Sequence, residues 1–189
     1  MPNWVKNRVF FKGDDDKIIN LLNTIRGDSK KDEESVIDFN KIIPMPEGLI
    51  DTVSPPRSKE EAKENIKKYG EEDWYEWAIK YWGTKWNACN QLLLNNKPFD
   101  SGFNIEFDTA WSCPKPIFDK LAEMFPDIEI EVEYADEDLG YNCGTISYKC
   151  GKESKQWTPS ENDDALGTAI KIWGLQDAYE KVNGEWIFI

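Results

Sequence analysis

Residues 4–11, Trp-Val-Lys-Asn-Arg-Val-Phe-Phe, are rich in strand formers and stop at Lys12-Gly13, a turn signal. Asp14, Asp15 and Asp16 then precede Ile18, Ile19, Leu21, Leu22 and Ile25. Those apolar positions have helical spacing, and the acids sit where the positive end of a helix dipole stabilises them. Gly27 closes that helix. After the charged stretch 28–35, a second strand is predicted from Val36 to about Ile43, ended by Pro44-Met45-Pro46.

Residues 47–60, with Gly48, Pro55 and Pro56, read as a surface excursion. The helical pattern resumes near Ser58 and runs, with a break at Gly70, to Trp82 before Gly83-Thr84. Trp74, Trp77, Ala78 and Tyr81 recur at three and four positions and so share one helical face. Residues 86–94 and 103–111 read as the arms of a hairpin around the turn-rich stretch 95–102. With Leu94 opposite Phe103, Leu92 meets Ile105, Asn90 meets Phe107, Ala88 meets Thr109 and Trp86 meets Trp111, all on one face. Leu93 with Asn104, Gln91 with Glu106, Cys89 with Asp108 and Asn87 with Ala110 share the other. One face is then largely apolar and one largely polar, as an antiparallel sheet covered on one side requires.

Pro114 and Pro116 can open a helix whose apolar side is Ile117, Phe118, Leu121, Ala122, Met124 and Phe125, stopped by Pro126. Ile128-Glu129-Ile130-Glu131-Val132-Glu133-Tyr134 alternates strictly and predicts a strand. Residues 143–150 form its hairpin partner, with Ile130 opposite Tyr148, Val132 opposite Ile146 and Glu129 opposite Lys149. Lys152 to Asp164 is polar and reads as loop, and Asp163 to about Lys181 as a final helix that docks through Leu166, Ile170, Trp173, Leu175 and Tyr179. Asn183-Gly184 is a turn before a short strand at Trp186-Ile187-Phe188-Ile189. The expected organisation is one α+β domain over 1–151, an antiparallel sheet with helices packed on one face, and a loop-and-helix appendage over 152–189.

The 189 residues carry 36 acidic and 23 basic side chains, a net charge of -13, and no histidine. Without histidine there is no His-based triad, no His general base and no mixed Cys/His metal site. The charge opposes binding nucleic acid by phosphate neutralisation, which needs clustered Lys and Arg, so no direct nucleic-acid contact is expected. Residues 121–148 hold eight of the acids and no Lys or Arg. Their outer face, carrying Glu129, Glu131, Glu133 and then Asp136, Glu137 and Asp138, is expected to be nearly uncompensated, with Lys149 its one offset. A solvated face that protects the sheet edge accounts for such a run; a basic protein partner, or mimicry of a phosphate backbone, are the alternatives. Asp136-Glu137-Asp138-Leu139-Gly140 lacks the spacing of a calcium loop.

Cys89, Cys113, Cys143 and Cys150 contain no CxxC pair, so neither a zinc ribbon nor a thioredoxin-type motif is present, and free thiols suit a reducing compartment. No metal and no cofactor are expected. The start Met1-Pro2-Asn3-Trp4-Val5-Lys6 lacks a secretory pattern and no apolar run is long enough to span a bilayer, so a cytoplasmic location is expected. No nucleophile elbow, phosphate loop or dinucleotide fingerprint occurs, and Ser112 has no activating neighbour in a known motif; catalysis has no support. The remaining chemical feature is aromatic: Trp82, Lys85, Trp86, Asp108 and Trp111 form a candidate ligand or interaction cluster. Rings of this kind either fill a core or present a platform that holds a cation.

Pro2-Asn3-Trp4-Val5-Lys6-Asn7-Arg8, Ile43-Pro44-Met45-Pro46, Tyr81-Trp82-Gly83-Thr84-Lys85-Trp86-Asn87 and Phe107-Asp108-Thr109-Ala110-Trp111-Ser112-Cys113-Pro114 together resemble the YubB-type ferredoxin-like family of phage and plasmid proteins. The resemblance covers roughly residues 1–150, with Cys113 departing from the small residue or proline of the pattern and the tail after Gly151 unmatched. It implies a ferredoxin-like sandwich and an origin on a mobile element, and carries over no catalytic residues. The expected role is that of a non-enzymatic accessory protein acting through a protein partner, a basic one being the match for its charge. An acidic decoy for a host DNA-binding protein, and a small-ligand binder or enzyme at the Trp/Lys/Asp cluster, stand as alternatives. No oligomeric state is assigned.

Overall fold

Strand β1 (Trp4–Lys12) alternates as its sequence demands: Val5, Val9 and Phe11 are buried on one side, while Lys6, Arg8 and Phe10 look to the other. The computed structural model describes residues 2–28, 35–94 and 103–189; the charged stretch 29–34 and the expected hairpin turn 95–102 lie outside them. After β1 come α1 (Asp15–Ile25), a 3-10 turn (Phe39–Lys41), α2 (Glu47–Ile50), α3 (Lys59–Tyr69), α4 (Trp74–Tyr81), β2 (Cys89–Leu94), β3 (Phe103–Ala110) and α5 (Lys115–Met124). β4 (Glu129–Asp136), β5 (Cys143–Lys149), β6 (Lys152–Trp157), α6 (Asn162–Trp173), β7 (Tyr179–Val182) and β8 (Glu185–Phe188) follow. The six-stranded sheet has the order β2-β3-β1-β4-β5-β6 and every neighbouring pair is antiparallel. Among the described residues no helix is long and apolar enough to cross a membrane.

One sheet face carries the main core, in which Val9, Ile105, Phe107, Val132 and Ile146 meet Ile18 and Leu21 of α1 and Phe118 and Leu121 of α5. The other face is covered at one end by α6, whose Ala165, Ala169 and Ile172 pack with Ala135 and Cys143. β4 and β5 pair in the expected register, Ile130 opposite Tyr148 and Val132 opposite Ile146.

Four expectations are corrected. Val36 to Ile43 is not a strand. Val36 and Ile37 are consecutive and both buried, which the two-residue period of a strand in a one-sided sheet does not allow. Their amides instead donate to Gln91 Oε1 at 2.7 and 2.8 Å, and the Phe39 amide donates to Asn87 Oδ1 at 2.9 Å. Side chains from the β2 region thus occupy donors that a ladder would have used. Truncating Gln91→Ala strands two amides, so those of Val36 and Ile37 are expected to exchange with solvent at least about tenfold faster while β1 amides keep their protection. Unchanged exchange at both positions would show that Gln91 does not hold the segment.

The β2–β3 register also differs. Cys89 faces Asp108 as expected, but a bulge between Cys89 and Leu92 sets Leu93 against Ile105 and Leu94 against Asn104. Asn90, with φ +48°, takes up the extra residue in the left-handed region. The slip turns Leu93 toward the core and leaves Leu92 51% exposed. Trp86 precedes the strand, so it is not the cross-strand partner of Trp111.

Lys152 to Trp157, expected as loop, is the edge strand β6, paired with β5. All of its residues are exposed, so no hydrophobic period marks it, and its lysines are what an open edge needs. The last helix stops at Trp173 because Gly174, at φ +70°, caps it. Tyr179 to Val182 then belongs to a hairpin with β8 across Asn183-Gly184, both residues at positive φ.

Candidate functional site

The path from α4 to the end of β3 is fixed by hydrogen bonds that its sequence supplies. Asp73, buried, caps α4 by accepting from the amides of Tyr75 and Glu76 at 2.9 and 3.0 Å. Gly83 turns the chain at φ +77°, where a Cβ would meet Pro116 Cδ at 2.7 Å. Buried Thr84 donates to the Ala110 carbonyl at 2.7 Å, and the Ser112 hydroxyl donates to the Gly83 carbonyl. These two bonds stitch the turn to the end of β3 and so bring Lys85 and Trp86 beside Trp111.

Lys85 Nζ lies over the rings of Trp86, Trp111 and Tyr75, with centroids 4.6, 5.0 and 5.7 Å away. Tyr75 and Trp111 stand at 85° to each other with centroids 6.2 Å apart, and Trp86 leans on Trp4 at 6.0 Å. Among the described residues no carboxylate forms an ion pair with Lys85. Trp111 is 41% exposed and its backbone has φ +71°, a conformation costing about 1–2 kcal/mol for a residue with a bulky side chain. It is held there by donation of its amide to the Asn3 carbonyl at 2.9 Å and by Asn142 Nδ2 donating to its carbonyl at 2.9 Å.

Of the residues grouped in sequence, Lys85, Trp86 and Trp111 converge. Trp82 does not join them: it is buried against Phe39 and Trp77, and its indole donates to the Ile43 carbonyl at 2.8 Å. Asp108 belongs to a separate cluster. It accepts from Asn90 Nδ2 at 2.9 Å and lies 3.6 Å from Lys6 Nζ, while its buried Oδ1 has no hydrogen-bond donor among the described residues. Burial, and then the Asp108 charge, push the Cys89 thiol up from its ordinary value. Tyr75 and Trp4 were not among the grouped residues. Two signs in the sequence pointed to Tyr75: it lies in the aromatic-rich run from Trp74 to Trp111, and the helix phase of Trp74–Tyr81 places it off the core face.

The acidic residues are neither contiguous nor uncompensated. Glu129 pairs with Lys149 at 3.1 Å as expected, but Glu133 also pairs with Lys171 of α6 at 2.9 Å, and Asp127 with Lys17 of α1 at 2.6 Å. Asp136 is buried and accepts from the Asp138 amide at 2.9 Å, whereas Glu131, Glu137 and Asp138 are exposed. The cations come from elements outside residues 121–148, so the local charge count did not contain them. β1 adds a basic column between two acidic ones: Lys6 and Arg8 hold Glu106 at 2.9 and 2.8 Å. Burial opposes the Glu106 charge, but the hydrogen bonds from Lys6 and Arg8 prevail and hold the carboxyl below its ordinary value. Beside α6 the uncovered part of this face forms a groove of about 760 Å³ lined by Arg8, Phe10, Lys12, Glu131, Lys149 and Lys171, a mixture of both signs.

Residues 81–178 match a family described as the ferredoxin-like domain in Api92-like protein. That span contains Lys85, Trp86 and Trp111. The crystal structure of a protein Api92 from Yersinia pseudotuberculosis superposes with a TM-score of 0.53 at 10% sequence identity, covering 85% of this chain and 99% of that one; at this identity it speaks to the fold. No curated protein matches the chain in sequence.

Proposed function

We propose that this chain, which belongs to the family of ferredoxin-like domains in Api92-like proteins, is a non-enzymatic accessory protein that binds a protein partner through the aromatic patch at Trp111. The observation that carries this reading is the exposed Trp111 indole on a left-handed backbone. A fold under selection for stability alone would bury the ring or place glycine there. Instead Asn3, Asn142 and Tyr75 hold it outward. Trp and Tyr dominate the energetics of protein interfaces because each rigid ring covers a large area at little entropic cost. The net charge of -13 would steer a basic partner toward the chain. The YubB-type kinship, the mobile-element origin and a cytoplasmic setting belong to the same proposal, supported by the tryptophan motifs and four free thiols.

The test is a partner recovered from the native host, purified, and titrated against the wild type and Trp111→Gly. Glycine adopts positive φ without cost, so the variant is expected to melt within a few degrees of the wild type. Its affinity is expected to fall about 30-fold or more, the scale of an interface hot spot. Equal affinity for the two proteins would remove the patch from the interface.

A further inference from the structure

We infer that Tyr75, Trp86 and Trp111 form a receptor for an alkylammonium group, that Lys85 is its built-in occupant, and that a lysine or methylated lysine of the partner displaces it. This rests on the docking role proposed for the Trp111 patch and names the chemistry that the patch would read.

The geometry is that of a cation site. Three ring faces surround one ammonium at 4.6–5.7 Å, with two of the rings nearly perpendicular, so the walls enclose rather than merely touch it. Charge pairing does not explain why Lys85 is there. Among the described residues nine other lysines, Lys6 and Lys171 among them, reach a carboxylate, whereas Lys12, Lys59, Lys63, Lys67, Lys68, Lys152 and Lys155 reach neither a carboxylate nor a ring. Lys85, in a chain with 36 acids, has rings for neighbours. It therefore keeps the cage filled without an ion pair that would resist its departure. A cation from outside gains the same ring attraction, and methyl groups strengthen the exchange because a methylated ammonium gives up less hydration on entering. A tethered occupant competes at an effective concentration of roughly millimolar, so the resident lysine sets a threshold against weak cations.

The experiment titrates the full chain with tetramethylammonium chloride, against sodium chloride at equal ionic strength, following the indole and Lys85 resonances by NMR. In the wild type the Lys85 ε-methylene signals are expected to start ring-shifted and to move toward solvent values as the probe enters. Lys85→Met is expected to bind the probe about tenfold more tightly, and adding Trp111→Gly to that variant is expected to abolish binding. The inference is overturned if Lys85→Met binds no more tightly, if binding survives loss of Trp111, or if the wild-type Lys85 signals stay in place at saturation. The wild-type titration decides the matter even where a variant fails to fold. A partner that still needs Trp111 while the cage ignores the probe would refute this inference and leave the docking role standing, with an anion held by Lys85 as the alternative that a loss of partner affinity in Lys85→Met would reveal. A cage that binds the probe while the partner ignores Trp111 would refute the docking role instead.

Discussion

Replacing Phe107 by alanine is expected to lower stability by about 3–5 kcal/mol, the range for a large aromatic removed from a core that cannot fully collapse. Phe107 is wholly buried on β3, with the Phe39 ring 5.9 Å away on one side and the Phe118 ring 6.2 Å away on the other. It therefore joins the 3-10 turn, the sheet and α5, and no single neighbour can move into the space without leaving its own. For a chain of this length the loss corresponds to a melting temperature lower by roughly 6–20 °C, measurable by calorimetry or denaturant titration. Leu92→Ala serves as the internal comparison: being half-exposed, it is expected to change stability by only about 0.5 kcal/mol. Similar losses at both positions would mean that the bulge at Asn90 is misplaced and that Leu92, not Leu93, faces inward.

The second large effect lies on the opposite face. Glu106 accepts from Lys6 Nζ and Arg8 Nε, Lys6 sits 4.7 Å from the centroid of the Trp173 ring, and Arg8 Nη1 donates to the Lys171 carbonyl at 3.1 Å. One carboxylate thus holds the two cations on which the end of α6 rests. Glu106→Gln is expected to cost about 2–3 kcal/mol at neutral pH, because both charged hydrogen bonds weaken, Arg8 loses its carboxylate partner and Lys6 keeps only Asp108, at 3.6 Å. Since folding lowers the Glu106 pKa, its contribution is complete above the unfolded value of about 4.3 and disappears as pH falls through the folded one. The gap between wild type and Glu106→Gln should therefore close in acid. A gap of equal size at pH 7 and pH 3 would show that the substitution acts through packing rather than charge.

How far each element could be read from the sequence follows from how local its determinants are. The register of β4 against β5 was legible because strict alternation and the Glu129/Lys149 pair agree on it, although β4 runs two residues past Tyr134 to Asp136. The β2–β3 pairing was legible at Cys89 and Asp108 and wrong beyond, because the bulge depends on a left-handed Asn90 and on Gln91 turning its side chain to the amides of Val36 and Ile37. β6 was invisible because a strand exposed along its whole length has no apolar period; it exists because β5 offers it a ladder. Gly174 was a legible helix stop that a run of apolar residues on both sides obscured.

The candidate site divides in the same way. Lys85, Trp86 and Trp111 were named from composition and spacing, yet with the two tryptophans as a cross-strand pair. Their meeting comes from the Thr84–Ala110 and Ser112–Gly83 bonds, which link segments 26 and 29 positions apart and leave no periodic trace. Trp82 and Asp108 belong to the same two sequence motifs and go elsewhere, one into the core and one beside Lys6.

Periodicity and turn residues by themselves determined the antiparallel sheet and the helices that cover its main core, and composition excluded histidine chemistry. These are properties that each stretch of chain expresses through its nearest neighbours. Only the tertiary structure decided which tryptophans are packed and which stand outward, which carboxylates have cations, and that a lysine sits among three rings. Those outcomes depend on side chains distant in sequence competing for the same partners, and the competition is settled by the space and hydrogen bonds left when the layers close.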